Sequence, residues 1–104
     1  MVKRIDVTVT DPVGLYATPA TELVDTMKMF NSDIKLVYAS KTVNMKSLMG
    51  VLSLGIPTKA KIEIIADGED EDAVIKRALE LMKDLGQVLD LIILKTGLLA
   101  LQKS

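Results

Sequence analysis

Two short stretches of this chain carry side chains that could do chemistry. The first is GLYATPA, Gly14 to Ala20. A glycine turn that leads into a helix-opening proline brings free backbone N–H groups together, and such a helix start can hold an anion. The side chain offered there is the phenol of Tyr16, and two residues on stands Thr18. A phenol with a pKa near ~10 is only about a thousandth ionised at neutral pH. Once phosphorylated it is a stable ester that does not pass the group on. Thr18 brings no cation to offset charge on a transferring group. Anion binding survives on this reading, but phosphoryl transfer does not. The plainer role for Tyr16 is a partly exposed ring covering its loop.

The second stretch is Ser47 followed by LMGVLSLG. A serine before a short apolar run is an N-cap candidate. A phosphate on it would sit where a helix dipole tolerates negative charge. A third cluster, Glu69 to Asp72, is acidic enough to suggest a metal site. Consecutive acids at a helix start are read instead as a solvated, dipole-favoured first turn, so no metal and no cofactor are expected. The chain has no cysteine and no histidine, which excludes disulfides, thiolate chemistry and imidazole general bases. Gly14, Gly50, Gly55 and Gly68 read as turn glycines and do not form a phosphate-binding loop of the G-x-x-x-x-G-K type.

The elements that must position these residues follow from periodicity. Ile5, Val7 and Val9 alternate with Arg4, Asp6 and Thr8, which predicts a half-buried strand over 4–10. Ala20, Leu23, Val24, Met27 and Phe30 fall at helical spacing. Thr18 reads as that helix's N-cap, Pro19 as its first turn, and Asn31-Ser32 as its close. A strand over 33–38, a turn at Ala39-Ser40 and a strand over 41–45 predict a hairpin. LMGVLSLG gives one or two helical turns, and 60–66 another strand. GEDEDAVIKRALELMKDLG reads as a second long helix with a stripe of Val74, Ala78, Leu81 and Met82. The order is β-α-β-β-α-β-α, an α+β pattern that stacks helices on one face of a sheet.

Residues 87–104 fit less simply. They are apolar in every direction from Val88 to Leu94, so they must be buried. They could extend the last helix or pair as strands about Thr96-Gly97. The expected organisation is one domain over 1–86 with an apolar extension over 87–104. At 49% hydrophobic and 26% charged the composition is globular. With only 3% aromatic residues the core must be aliphatic. A net charge of −1 argues against direct nucleic-acid binding, which shows a basic excess. No apolar run reaches the ~18 residues of a membrane span. The N-terminus does not read as a signal peptide, and a cytoplasmic location is the expectation.

Three stretches together resemble the HPr family, the histidine-containing phosphocarriers of the bacterial sugar phosphotransferase system. GLYATPATEL stands where the family carries its active-site loop G-[IL]-H-A-R-P-A. KTVNMKSLMGVLSLGI, Lys41 to Ile56, matches the family's regulatory-serine region almost residue for residue. IEIIADGEDEDAV is a weaker match. The resemblance implies an open-faced β-sandwich, a four-stranded antiparallel sheet with three helices on one face. It aligns the family histidine with Tyr16 and the family arginine with Thr18, so no catalytic residue is carried over. This is the pattern of the Crh-type branch, which lacks the active-site histidine and keeps the serine.

The resemblance further implies phosphorylation of Ser47 by an HPr kinase/phosphorylase. It implies docking of a LacI-type catabolite-control repressor through Thr21, Leu48, Met49 and Leu52, and hence a part in carbon catabolite repression without enzymatic activity. Two features allow a homodimer: strand exchange in Crh-type proteins, and the apolar tail. The alternatives are a scaffold without Ser47 regulation and a phosphocarrier whose histidine has been replaced.

Overall fold

The structure is a computed structural model and describes residues 2–87. Its elements are β1 (Val2–Thr8), α1 (Ala17–Met27), β2 (Asp33–Tyr38), β3 (Lys41–Asn44), α2 (Leu48–Ser53), β4 (Lys61–Asp67) and α3 (Glu71–Asp84). The four strands form one antiparallel sheet in the order β1-β4-β2-β3. Strand alternation sets which residues face the core. Val7, Ile34, Leu36, Ile62, Ile64 and Ala66 are buried on one face. Their neighbours Arg4, Asp6, Thr8, Lys61, Asp33 and Lys35 point to solvent.

The three helices close the buried face. α1 contributes Ala20, Leu23, Val24 and Met27, α2 contributes Val51, and α3 contributes Val74, Ala78, Leu81 and Met82. No aromatic ring is among the fully buried residues, so the core is aliphatic as the composition requires. The β2–β3 turn is made by Ala39 (φ 51°) and Ser40 (φ 67°), both left-handed. Two left-handed residues are what a tight hairpin turn with right-handed strand twist demands.

Several boundaries differ from expectation. β1 ends at Thr8, and Val9 is buried just beyond it, bonded from its N–H to the Ala60 carbonyl at 2.8 Å. The N-cap of α1 is Tyr16, not Thr18: Tyr16 is extended, and its carbonyl accepts from the Ala20 N–H at 3.0 Å. Thr18 and Pro19 both lie inside the first turn, where a missing proline N–H costs nothing. α1 also stops at Met27, short of Asn31. Tighter three-residue bonds from Met29 to Thr26 and from Phe30 to Met27 follow it. Gly50 is not a turn residue but lies within α2. Gly14, Gly55 and Gly68 do have positive φ.

The last helix ends at a left-handed Gly86 (φ 74°). The Gln87 N–H returns to the Met82 carbonyl at 2.8 Å, a six-to-one closure of the helix end. The Gln87 carbonyl in turn accepts from the Thr10 N–H at 2.7 Å. The expectations for the tail, an extended helix or strands about Thr96-Gly97, fall from residue 88 onward outside the described residues.

The acidic start of α3 has a specific use. The Asp70 carboxylate accepts from the Asn31 N–H at 2.8 Å, the Ser32 N–H at 2.9 Å and the Ser32 hydroxyl. It thereby clamps the α1–β2 connection onto α3. The Ser32 hydroxyl first, and the Asn31 N–H next, hold this carboxyl below its ordinary value of 3.8. A lowered folded-state pKa gives stability that is present above the unfolded value and is lost as pH falls through the folded one. Asp70→Asn should therefore unfold at lower urea than wild type at pH 7. It should also lose less of its remaining stability than wild type between pH 5 and 2, as followed by circular dichroism.

The loop before α1 rests on the loop after α2. Gly14 has φ 85°, and a Cβ there would lie 2.4 Å from the Ile56 carbonyl oxygen and 2.8 Å from the Pro57 carbonyl carbon. Next to it the Leu15 N–H donates to the same Ile56 carbonyl at 3.0 Å. Gly14→Ala should cost about 1–3 kcal/mol or more, the range of a strained backbone site. Thermal unfolding should show the loss, and amide exchange should rise first at Leu15.

Candidate functional site

Tyr16 occupies the first of the two candidate positions. Its ring is 43% exposed and its side chain makes no capping bond to α1. From Asp11 to Met27 the chain contains no lysine or arginine, so no cation on this loop or helix accompanies the phenol. Thr18 is exposed. Thr21 turns its hydroxyl back to the Ala17 carbonyl at 2.7 Å, which satisfies the donor within α1. Pro19 and Ala20 are buried and anchor the first turn to the core. What remains is a helix start that presents a phenol with no basic residue between Asp11 and Met27. Within this loop and helix no histidine and no basic residue accompanies the phenol to act as the base or cation of transfer chemistry.

Ser47 occupies the second, at the N-cap of α2. Its backbone is extended (φ −111°, ψ 113°), and its hydroxyl oxygen accepts the Gly50 N–H at 3.1 Å. The Ser47 carbonyl receives the Val51 N–H at 3.0 Å. The turn leading in is built by Asn44, whose side-chain oxygen accepts the Lys46 N–H at 2.9 Å and whose carbonyl accepts the Ser47 N–H at 3.0 Å. Lys46 sends its ammonium to the Phe30 carbonyl at 2.8 Å, tying this turn to the end of α1. Ser47 is only partly buried, so its hydroxyl is positioned without being sealed.

Gly50, read from the sequence as a turn glycine, lies instead inside α2 beside Ser47. It donates to Ser47, and a Cβ on it would lie 3.3 Å from the Ser47 hydroxyl and 3.4 Å from the Val43 Cβ. The signal available was the i+3 spacing from Ser47 to Gly50, the geometry of an N-cap bond.

The apolar residues of α2 divide by direction. Val51 is buried and Leu48 is partly buried against the core. Met49 is 80% exposed and Leu52 is 36% exposed. Met49 and Leu52 are three apart and share one helix face. The outward apolar surface is therefore these two, with Leu48 beneath them. The Gly55 N–H donates to the Leu52 carbonyl at 3.2 Å, and Ile56 then bonds Leu15. These two hydrogen bonds, with the Gly55–Ile56 peptide between them, connect the end of α2 to the residue before Tyr16. Among the described residues no group of three or more histidine, cysteine, aspartate or glutamate side chains could hold a metal ion. Among them too, no helix is long and apolar enough to cross a membrane.

Comparisons with known proteins agree with this architecture. Residues 3–84 match the family described as "PTS HPr component phosphorylation site". The histidine-containing phosphocarrier protein of Mycoplasma is 34% identical, with a TM-score of 0.83 over 85% of this chain and 100% of that one. Phosphocarrier protein HPr of Bacillus anthracis is 34% identical, with a TM-score of 0.73 over 77% of this chain and 95% of that one. Crh, the catabolite repression protein of Bacillus subtilis, is 36% identical over 81% of this chain and 94% of that one, with a TM-score of 0.63. Its crystal structure is an intertwined dimer with a swapping domain. With 82 consecutive residues matched, and the same sheet with three helices behind it, this chain belongs to the HPr family, with Crh among its relatives.

Proposed function

We propose that this HPr-family protein regulates rather than carries. It is phosphorylated on Ser47 by an HPr kinase/phosphorylase, and in that form it binds a LacI-type repressor as a corepressor in carbon catabolite control. The protein acts in the cytoplasm and is not an enzyme. The observation that carries the reading is Tyr16 at the start of α1, in a chain that holds no histidine. A neutral phenol cannot replace an imidazole that is largely unprotonated near pH 7 and gives a labile phosphoramidate. Ser47, by contrast, is presented at a helix start beside the exposed Met49 and Leu52.

A phosphate there adds about −1.5 to −2 charge at the positive end of α2. The partner then meets that charge next to an apolar surface in which flexible methionine adapts to shape. Thr21, Met49 and Leu52, with Leu48 supporting them, form the repressor-facing residues on this reading. A homodimer is compatible with it, since the Bacillus subtilis relative is dimeric in its crystal.

Intact mass after incubation with ATP and a Gram-positive HPr kinase/phosphorylase tests this. A parallel sample receives phosphoenolpyruvate and enzyme I. One phosphate in the first sample, mapped to Ser47, and none in the second is the expected result. A phosphate from phosphoenolpyruvate would show a carrier working through another residue. No phosphate in either leaves a scaffold whose Ser47 is only a cap. Ser47→Ala should abolish the ATP-dependent mass increase while costing only about 1 kcal/mol of stability for the lost cap. Ser47→Asp, which keeps a capping oxygen, should recover most of that stability in urea unfolding.

A further inference from the structure

An asparagine followed by a small residue carries a chemistry of its own. The main-chain nitrogen of the next residue can attack the side-chain carboxamide, close a five-membered succinimide and expel ammonia. For this reason asparagine counts among the thermolabile residues. The chain has two asparagines, Asn31 before Ser32 and Asn44 before Met45. Asn31 is exposed and lies in the connection between α1 and β2, whereas Asn44 is the last residue of β3. Serine leaves the attacking nitrogen far less crowded than methionine does.

At Asn31 the attacking group is tied down. The Ser32 N–H donates to Asp70 Oδ1 at 2.9 Å, and the Ser32 hydroxyl donates to the same oxygen. The Asn31 N–H donates to Asp70 Oδ2 at 2.8 Å. The main-chain nitrogens on both sides of the Asn31 Cα are thus gripped by the two oxygens of one carboxylate. The other end of the Phe30–Asn31 peptide is held as well, since the Phe30 carbonyl accepts from the Lys46 ammonium at 2.8 Å. Ser32 is buried, and Gly68 lies so close that a Cβ there would be 2.7 Å from the Ser32 Cα.

Two physical effects follow. Ring closure needs the Ser32 nitrogen to lose its proton, and a carboxylate already bound to that proton opposes a second negative charge beside it. Closure also turns the nitrogen toward the Asn31 side chain, and its bond to Asp70 is lost. The reaction must therefore wait for local opening of the clamp.

We propose that Asn31 is a deamidation site held shut by Asp70, and that its conversion releases the α1–β2 connection from α3. The Ser32 nitrogen passes its proton, by way of water, to the departing amide. It bonds to Asn31 Cγ, and the Cγ–Nδ2 bond breaks with loss of ammonia. Water then opens the succinimide at either carbonyl. Attack at Cγ breaks its bond to the Ser32 nitrogen and leaves aspartate. Attack at the main-chain carbon leaves isoaspartate, in which the chain runs through Cβ and Cγ. Either product brings a new carboxylate close to Asp70. Isoaspartate also inserts one more carbon between the two N–H groups that the Asp70 oxygens grip, so the pair no longer fits one carboxylate. The change is irreversible, and it removes the clamp that slowed it. None of this depends on phosphorylation of Ser47.

Peptide mapping by mass spectrometry, after prolonged incubation of the full chain in mildly alkaline buffer, reads the amide-to-acid exchange at Asn31 and Asn44 separately. Asp70→Ala, kept where circular dichroism shows it folded, should convert Asn31 about tenfold to a hundredfold faster than wild type, the factor set by losing a hydrogen bond to a charged group. Asn44 should keep its rate, which separates loss of the clamp from global unfolding. In urea that unfolds both chains, the two should convert Asn31 at one rate. An unchanged Asn31 rate in folded Asp70→Ala would overturn the proposal. A slower rate would overturn it too, because Asp70 would then be the base that takes the Ser32 proton. So would a folded wild type that converts Asn31 as fast as it does in urea, a comparison that needs no variant. The deamidated wild type carries one more negative charge and separates on anion exchange. It should unfold at lower urea than its parent, and an equal midpoint would overturn the release of the connection.

Discussion

A sheet with one wet face and one dry face sets everything else in this molecule. Four short strands alternate so that Val7, Ile34, Leu36, Ile62 and Ile64 lie together on one side. That surface must be covered, and with few aromatic residues available it is covered by aliphatic side chains of three helices. Close packing of such side chains leaves little freedom in where a helix can lie. The loops that enter and leave the helices are then brought together, and those loops carry Tyr16 and Ser47.

From that constraint follows the proximity of Tyr16 and α2. Two segments far apart in sequence share a backbone contact at Gly14 and Ile56 that is too close for any side chain. Gly14 is thus required for a steric reason independent of phosphate chemistry. The contact is made by main-chain atoms and does not involve the Tyr16 side chain. The chemical and architectural demands on the loop fall on different residues.

Much of this was legible in the sequence. Alternation located β1, β2 and β4, and the stripe of Val74, Ala78, Leu81 and Met82 is buried as its spacing requires. Ser47 was readable as a cap because a serine before an apolar run has few other uses, and its hydroxyl does bond Gly50. The start of α1 misled because Thr18-Pro19 has the composition of a cap and first turn. The cap position is taken by Tyr16, whose main chain satisfies the helix although its side chain does not. Composition reports which residues favour a cap, whereas the helix here begins where the Tyr16 carbonyl accepts the Ala20 N–H. The Asp70 clamp was not legible at all, since its partners lie 38 and 39 residues away. An acid in a run of acids gives no sign of such distant ties.

The exit of β1 has one more consequence. Val9 is bracketed by bonds from its N–H to the Ala60 carbonyl and from the Lys59 N–H to its own carbonyl, at 2.8 and 2.7 Å, and Thr10 is bonded to Gln87. β1 is thus held at its exit by three backbone bonds beyond its ladder with β4, so peeling the strand from that end means releasing the turn at residues 59–60 and the close of α3 together.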